Sequence, residues 1–431
     1  MSFTKKTIRD IDLHGKKVLL RADYNVPLDD KGTITDDYRL QQSLPTLRFL
    51  LEQGASIIIC SHLGRPDGKP NPEFSLLPVA KRLNELLDHH IPVQFVPDCI
   101  GERAVKAAGQ LQPGQILLLE NLRFHPEEEA NDDGFAAQLA GLADVFVQDG
   151  FGVVHRAHAS TDAVTHHLPS VAGLLLEREV DTITNVMENP AHPLVAVVGG
   201  AKIADKIEVI RRFIDRADVL AVGGAMANTF LKAQGVAIGK SLSSDEDLPL
   251  AKEIMHLAHE KAKQGNFVFY LPQDGVVASK IDKAAPTRIV DWSAHTIADI
   301  ENYPKRPPHA ASQVQEDELI LDVGPFSGAF IAGAIQLAGT VVWNGALGVT
   351  ETSGLQGPIG PYAHGTELLT EAMTGQFGNR PYSLVGGGDT VGYIEARGLV
   401  NAFNHVSTGG GASLELMSGR KLPGVEALED K

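Results

Sequence analysis

Uniformly apolar runs rich in β-branched residues recur along the chain, separated by longer stretches whose apolar positions follow a helical repeat. Val18-Leu19-Leu20, Ile57-Ile58-Ile59, Ile116 to Leu119 and Val145-Phe146-Val147 form one series. Val195 to Val198, Val219 to Val222, Phe267 to Tyr270, Val341 to Trp343 and Ser383 to Val385 form a second. A strand with one wet face alternates apolar and polar positions. These runs do not, so they predict strands covered on both faces in parallel sheets. Strand and helix alternating through both series predict an α/β fold of two doubly wound, Rossmann-like lobes. Between the series, Gly173 to Glu188 predicts a helix without internal proline, closed by Asn189-Pro190 and Pro193, that joins the lobes.

Open α/β sheets bind ligands beyond the carboxyl ends of their strands, and there the two series differ. The first ends its runs in cations: Arg21-Ala-Asp-Tyr-Asn-Val-Pro27, Ser61-His-Leu-Gly-Arg-Pro66, Glu120-Asn-Leu-Arg-Phe124 and His155-Arg-Ala-His158, with Arg39 near the next helix start. The second ends in glycine clusters: Gly199-Gly200-Ala201-Lys202, Gly386-Gly387-Gly388-Asp389-Thr390 and Gly409-Gly410-Gly411. Fixed cations suit a small, highly charged substrate, and bare amides at helix starts suit nucleotide phosphates. Lys202 and Lys206, four residues apart, are expected on one helical face beside such amides. Asp389 reads either as a helix cap or as a ligand for a hard divalent cation beside phosphate.

With 431 residues and 43% hydrophobic composition, the chain is too long for one core. Its net charge of −16 argues against a general nucleic-acid or membrane surface and makes the clustered arginines local exceptions. Two cysteines, Cys60 and Cys99, make no secreted disulfide framework, and Met1 to Lys6 has no apolar leader core, so a cytoplasmic protein is expected. No P-loop string occurs. Gly150-Phe-Gly-Val-Val-His155 lacks the third glycine of a dinucleotide fingerprint, and no cysteine/histidine spacing suggests structural zinc.

From Lys16 to Leu428 the chain resembles the phosphoglycerate kinase family. The strings above occur in the family's order, together with His155-Arg-Ala-His-Ala-Ser160, Trp343-Asn-Gly345 and Ser407-Thr-Gly-Gly-Gly-Ala-Ser413. The resemblance implies a 3-phosphoglycerate lobe over residues 1–175, an interdomain helix and linker over 176–193, and a nucleotide lobe over 194–405. Residues 406–431 would be a hinge and tail returning to the first lobe. It implies substrate contacts from Asp23, Asn25, Arg39, His62, Leu63, Gly64, Arg65, Arg123 and Arg156. Nucleotide contacts would come from Gly200, Lys202, Lys206, Gly223, Asn344, Glu351, Gly387, Gly388, Asp389 and Thr390, with magnesium on Asp389. Arg39, Lys202, Gly387 and Gly410 would act on the moving phosphoryl group, in a hinge-bending monomer using ATP/ADP.

The sequence departs from the family's usual pattern in places. Gln148 stands in the usual asparagine position and Gly150 in that of alanine, and Val153-Val154 follow where smaller or polar residues are usual, a change expected to shift the loop carrying Arg156. Ala346 replaces a proline, Thr350 replaces a phenylalanine, and Thr352 to Tyr362 is longer and richer in glycine and proline. A nucleotide-responsive binding protein, or a kinase for another small acid, would share most of the same strings.

Overall fold

The computed structural model describes residues 3–87, 89, 91–292, 313–355, 357 and 359–431. Gln356 and Pro358, within the long glycine-rich stretch, lie outside the described residues, as do Met1 and Ser2. The chain divides into two units, Met1–Thr184 with Thr408–Lys431, and Asn185–Ser407.

The first unit is built on β1 (Lys17–Arg21), β2 (Ser56–Cys60), β3 (Val93–Val96), β4 (Ile116–Leu119), β5 (Val145–Gln148) and β6 (Ser170–Ala172), in the order β3-β4-β2-β1-β5-β6. Every pairing is parallel. All residues of β2, β4 and β5 are buried, which is why their sequences do not alternate. β3 and β6 sit at the sheet edges and were not signalled by apolar runs; β3 keeps Gln94 exposed and β6 has only three residues. The helix Tyr38–Glu52 buries Leu40, Leu47 and Leu50 against this sheet's core. At roughly 1.5–3 kcal/mol for each large aliphatic side chain, such burial fixes the helix more firmly than its propensity does.

The second unit holds β7 (Leu194–Val198), β8 (Val219–Val222), β9 (Val268–Tyr270), β10 (Asp274–Ala278), β11 (Arg288–Asp291), β12 (Leu319–Val323), β13 (Thr340–Asn344), β14 (Tyr382–Gly386) and β15 (His405–Val406). Its main sheet, β15-β14-β13-β7-β8-β9, is parallel throughout. A small antiparallel sheet, β11-β10-β12, was not anticipated. β11 and the start of β12 are only partly buried, so no uniform apolar run marks them.

The helix expected at Gly173 spans Leu174–Glu188. Its start is capped from a distance: the Asp149 carboxylate accepts the amides of Leu175 at 2.9 Å and Leu176 at 3.2 Å. Burial raises the Asp149 pKa to about 6. No helix among the described residues is long and apolar enough to cross a membrane.

Candidate functional site

In the first unit, strand order reverses between β1 and β5, so the loops after these strands frame a crevice. They touch closely. A Cβ on Gly152 would stand 2.0 Å from Asp23 Oδ2, and one on Gly409 would stand 2.9 Å from Gly152 Cα. The helix Gly410–Met417 therefore begins beside Asp23, with Gly409 as its cap residue.

Arg39 Nη1 donates to both Asp23 oxygens at 3.0 Å and to the Asn25 carbonyl at 3.1 Å. Asn25 Oδ1 accepts the Gly64 amide at 2.8 Å, and Arg123 donates to the Gly64 carbonyl at 2.9 Å. His62 is buried, with Nδ1 3.4 Å from Arg21 Nη2. Burial, then the charges of Arg21, Arg123 and Arg39, hold its pKa well below the ordinary value. The ring is neutral, and because arginine can only donate, Nδ1 accepts and Nε2 carries the proton. Asp23, Asn25, Arg39, Gly64 and Arg123 are thus joined in one network, with His62 Nδ1 4.0 Å from Asp23 Oδ1.

The remaining expected residues differ from these. Leu63 packs its side chain into the core and gives its carbonyl to Asn121 at 2.7 Å. Arg65 is exposed. Arg156 is also exposed, and its Nε donates to His155 Nε2 at 3.2 Å. Val153 and Val154 are buried, and the Gly424 amide donates to the Val154 carbonyl at 2.9 Å, so the two valines pack inward while Arg156 stays at the surface. The replaced Gln148 is fully buried; its Oε1 accepts the Gly150 amide at 3.1 Å, but its Nε2 has no partner.

A buried layer lies beneath this network, and little in the sequence pattern marks it. Arg21 is 1% exposed, donates to Ser160 Oγ at 2.7 Å and the Ala22 carbonyl, and lies 3.9 Å from Glu128. Glu128, fully buried, accepts from Ser160 Oγ at 2.6 Å and the Ser160 amide at 3.0 Å. Burial raises its pKa while Arg21 opposes the rise. His158, beside this pair, is pushed down to about 4 by burial and then by Arg21. The only local signal was a charged residue ending an otherwise apolar strand.

The second unit reverses strand order between β7 and β13. Here the backbones meet: a Cβ on Gly199 would fall 2.1 Å from the Ala346 carbonyl, and one on Gly345 2.3 Å from the Gly199 carbonyl. Only glycine fits at either position. Lys206 Nζ reaches across to Asn344, 2.5 Å from Oδ1 and 3.0 Å from the carbonyl. Burial lowers the Lys206 pKa to about 8, against the opposing pull of Asp389 and Asp205. Asn344 is 1% exposed, and its Nδ2 is buried without a partner. That amide lies beside Gly387, where a Cβ would be 3.5 Å from it and whose φ of +96° favours glycine.

Two sequence expectations need correction. Lys202 and Lys206 do not share a helical face: Lys202 is exposed in an irregular segment, and Lys206 ends the 3-10 turn Ala204–Lys206 and caps the helix Ile207–Arg216. The α-helix begins only at Ile207, so the two lysines stand in different local structures. Asp389 does not cap the helix Gly388–Ala396; Gly387 does, and the Asp389 carboxylate is exposed in the first turn.

A pocket of about 250 Å³ in this unit is lined by Gly200, Gly224, Leu321, Leu347, Glu351 and Asp389, among others. Gly223 backs onto Leu347, where a Cβ would clash at 2.3 Å. Thr390 is buried and its hydroxyl accepts the Gly345 amide at 2.8 Å, so it braces the β13 loop. The sequence reading did not single out Asp322, whose carboxylate accepts the amides of Val323 and Gly365 at 2.9 Å and whose pKa burial raises to about 7.

The family model for phosphoglycerate kinase matches residues 8–420. A phosphoglycerate kinase of Moorella thermoacetica is 46% identical over 427 residues, covering 99% of this chain and all of its own. One of Chloroflexus aurantiacus is 46% identical with 99% of both chains covered. Among solved structures, phosphoglycerate kinase from Coxiella burnetii superposes with a TM-score of 0.79 at 38% identity, and that from Pyrococcus horikoshii with 0.79 at 28%, each over 98% of both chains. With its motifs at the switch points of two α/β units and a family match over nearly its whole length, the chain belongs to the phosphoglycerate kinase family and is a phosphotransferase.

Proposed function

We propose that this chain transfers a phosphoryl group reversibly between the acyl phosphate of 1,3-bisphosphoglycerate and Mg-ADP, giving 3-phosphoglycerate and Mg-ATP. The observation that carries the nucleotide half is the buried, unpartnered Nδ2 of Asn344, a donor beside Lys206 and the Gly387 helix start. A buried donor with no acceptor is costly, and a polyphosphate oxygen supplies the acceptor. In the first unit, Arg39, Arg123, Arg156 and neutral His62 suit the phosphate and carboxylate of 3-phosphoglycerate.

Asp389 fits magnesium. Its carboxylate is exposed in the first turn rather than engaged as the helix cap, and a single hard oxygen ligand suits an ion that draws its other ligands from phosphates and water. Bound there, magnesium would neutralise charge on the nucleotide phosphates. The carboxylate of 3-phosphoglycerate is already a nucleophile, so no general base is needed, and positioning with charge neutralisation carries the step. Arg39 and Lys202 hold the equatorial oxygens of the moving group, Lys206 holds the nucleotide side, and the amides of Gly387 and Gly410 assist at helix starts. Adenine occupies the apolar part of the pocket near Gly200 and Gly223, with Glu351 toward the ribose. Transfer requires the two substrates to meet, so hinge bending that excludes water is part of the reading, as are a cytoplasmic monomer and small-molecule partners alone.

The test is a coupled assay of the purified chain with ATP, magnesium and 3-phosphoglycerate, following 1,3-bisphosphoglycerate through dehydrogenase-dependent NADH consumption. Magnesium-dependent turnover that collapses in Lys202→Ala is the expected result. Nucleotide binding without turnover overturns it in favour of a binding protein.

A further inference from the structure

Asp98, Cys99 and His125 bring a carboxylate oxygen, a thiol sulfur and an imidazole nitrogen within 4.8 Å of one another. We propose that these three residues bind a thiophilic divalent cation, zinc above all, at a site separate from the one assigned to magnesium.

The fold makes the cluster. Asp98 and Cys99 follow β3, and His125 closes the turn Leu122–Phe124 that follows β4, the neighbouring strand. His125 stands 27 positions from Asp98, so no zinc-finger spacing marks the site in the sequence. Nε2 of His125 is 3.1 Å from Asp98 Oδ1. Two ligands at about 2.0–2.2 Å from a tetrahedral zinc ion lie about 3.4 Å apart, so the nitrogen and oxygen already stand at ligand spacing. No separation in the trio exceeds 4.8 Å, so reaching tetrahedral spacing requires at most about 1.3 Å of closure, within reach of small side-chain rotations. The ring of His125 is held by Phe135, with centroids 5.3 Å apart.

The donor set selects the ion. Sulfur and nitrogen beside one oxygen suit zinc, whereas magnesium demands oxygen ligands in octahedral array. On binding, the Cys99 thiol releases its proton to solvent, His125 coordinates through the Nε2 lone pair with its proton on Nδ1, and Asp98 coordinates as the carboxylate. One thiolate and one carboxylate neutralise the 2+ charge, which suits a site whose sulfur is fully buried. The side chains of His125 and Asp98 are 27% and 41% exposed, leaving a path for the ion and a fourth position for water. The bound ion would tie the end of β3 to the turn that carries Arg123.

The test titrates the metal-stripped full chain with Co2+ as a spectroscopic probe. One equivalent should give a thiolate-to-cobalt charge-transfer band with four-coordinate d–d absorption, displaced by Zn2+ and not by excess Mg2+. Cys99→Ser should lose the charge-transfer band and Cys60→Ser should keep it. Because Cys99 is a core position, His125→Gln and Asp98→Asn provide the second measurement, each weakening cobalt binding by more than about 100-fold at retained far-ultraviolet circular dichroism. Absence of the band in the wild-type chain, its loss in Cys60→Ser, or unchanged affinity in His125→Gln would overturn the proposal.

Discussion

Raising the pH from 7 to 9 should weaken nucleotide binding by about tenfold through Lys206 alone. Burial lowers the pKa of this half-buried lysine to about 8, and Asp389 and Asp205 keep it from falling further. With that value the side chain is about 90% charged at pH 7 and about 10% charged at pH 9. If only the ammonium form engages the polyphosphate, the affinity follows the charged fraction and the dissociation constant rises as that fraction falls, a change of about 1.4 kcal/mol over the interval. The sign is fixed by the direction of the shift: the free protein loses its proton near pH 8, so affinity is full below that value and falls above it. Isothermal titration of ATP at saturating magnesium across pH 7 to 9.5 reads the effect, since the triphosphate is already ionised through the upper part of this window. Lys206→Arg provides the control, because arginine stays charged throughout. Its absolute affinity is expected to change, since the contact with Asn344 is geometric, but its slope with pH should vanish. A wild-type dissociation constant that stays flat from pH 7 to 9.5, or an equal slope in Lys206→Arg, would refute the reasoning.

Arg39→Ala should lower kcat in the coupled assay by on the order of 100-fold, about 3 kcal/mol, and full turnover at saturating substrate would remove Arg39 from the transition state. Gly152→Ala puts a methyl group 2.0 Å from Asp23 Oδ2 and must displace the Asp23–Arg39 pair, so the KM for 3-phosphoglycerate should rise at least about tenfold in steady-state kinetics; an unchanged KM would show that the pair is not needed. Glu128→Gln leaves Arg21 buried without its counter-charge and should cost about 3 kcal/mol in urea unfolding monitored by circular dichroism. A change below about 1 kcal/mol would mean that the Ser160 hydrogen bonds alone hold Arg21.

The sequence by itself determined the elements whose physics is local. Strands buried on both faces, such as β2, β4 and β7, appear as unbroken apolar runs because neither face meets water. The helix from Leu174 was legible from its periodicity and the prolines beyond it. Strand-end arginines and glycine clusters pointed to the two crevices because parallel sheets fix which strand ends face a ligand. Tertiary structure decided what depends on partners distant in the chain. Edge strand β3 and the antiparallel β11 and the start of β12 are too exposed to leave an uninterrupted apolar signature, and β6, though buried, is only three residues long. The cap of the Leu174 helix comes from Asp149, and Lys206 meets Asn344 across 138 positions. Lys202 and Lys206 part company because the α-helix begins only at Ile207, and Gly199 passes Gly345 at a distance no side chain allows. The buried Arg21–Glu128 pair and the Asp98, Cys99 and His125 cluster exist only because strand order sets their loops side by side. Sequence pattern encodes local backbone preference and burial; which groups then share a crevice is set by strand order, which no local window contains.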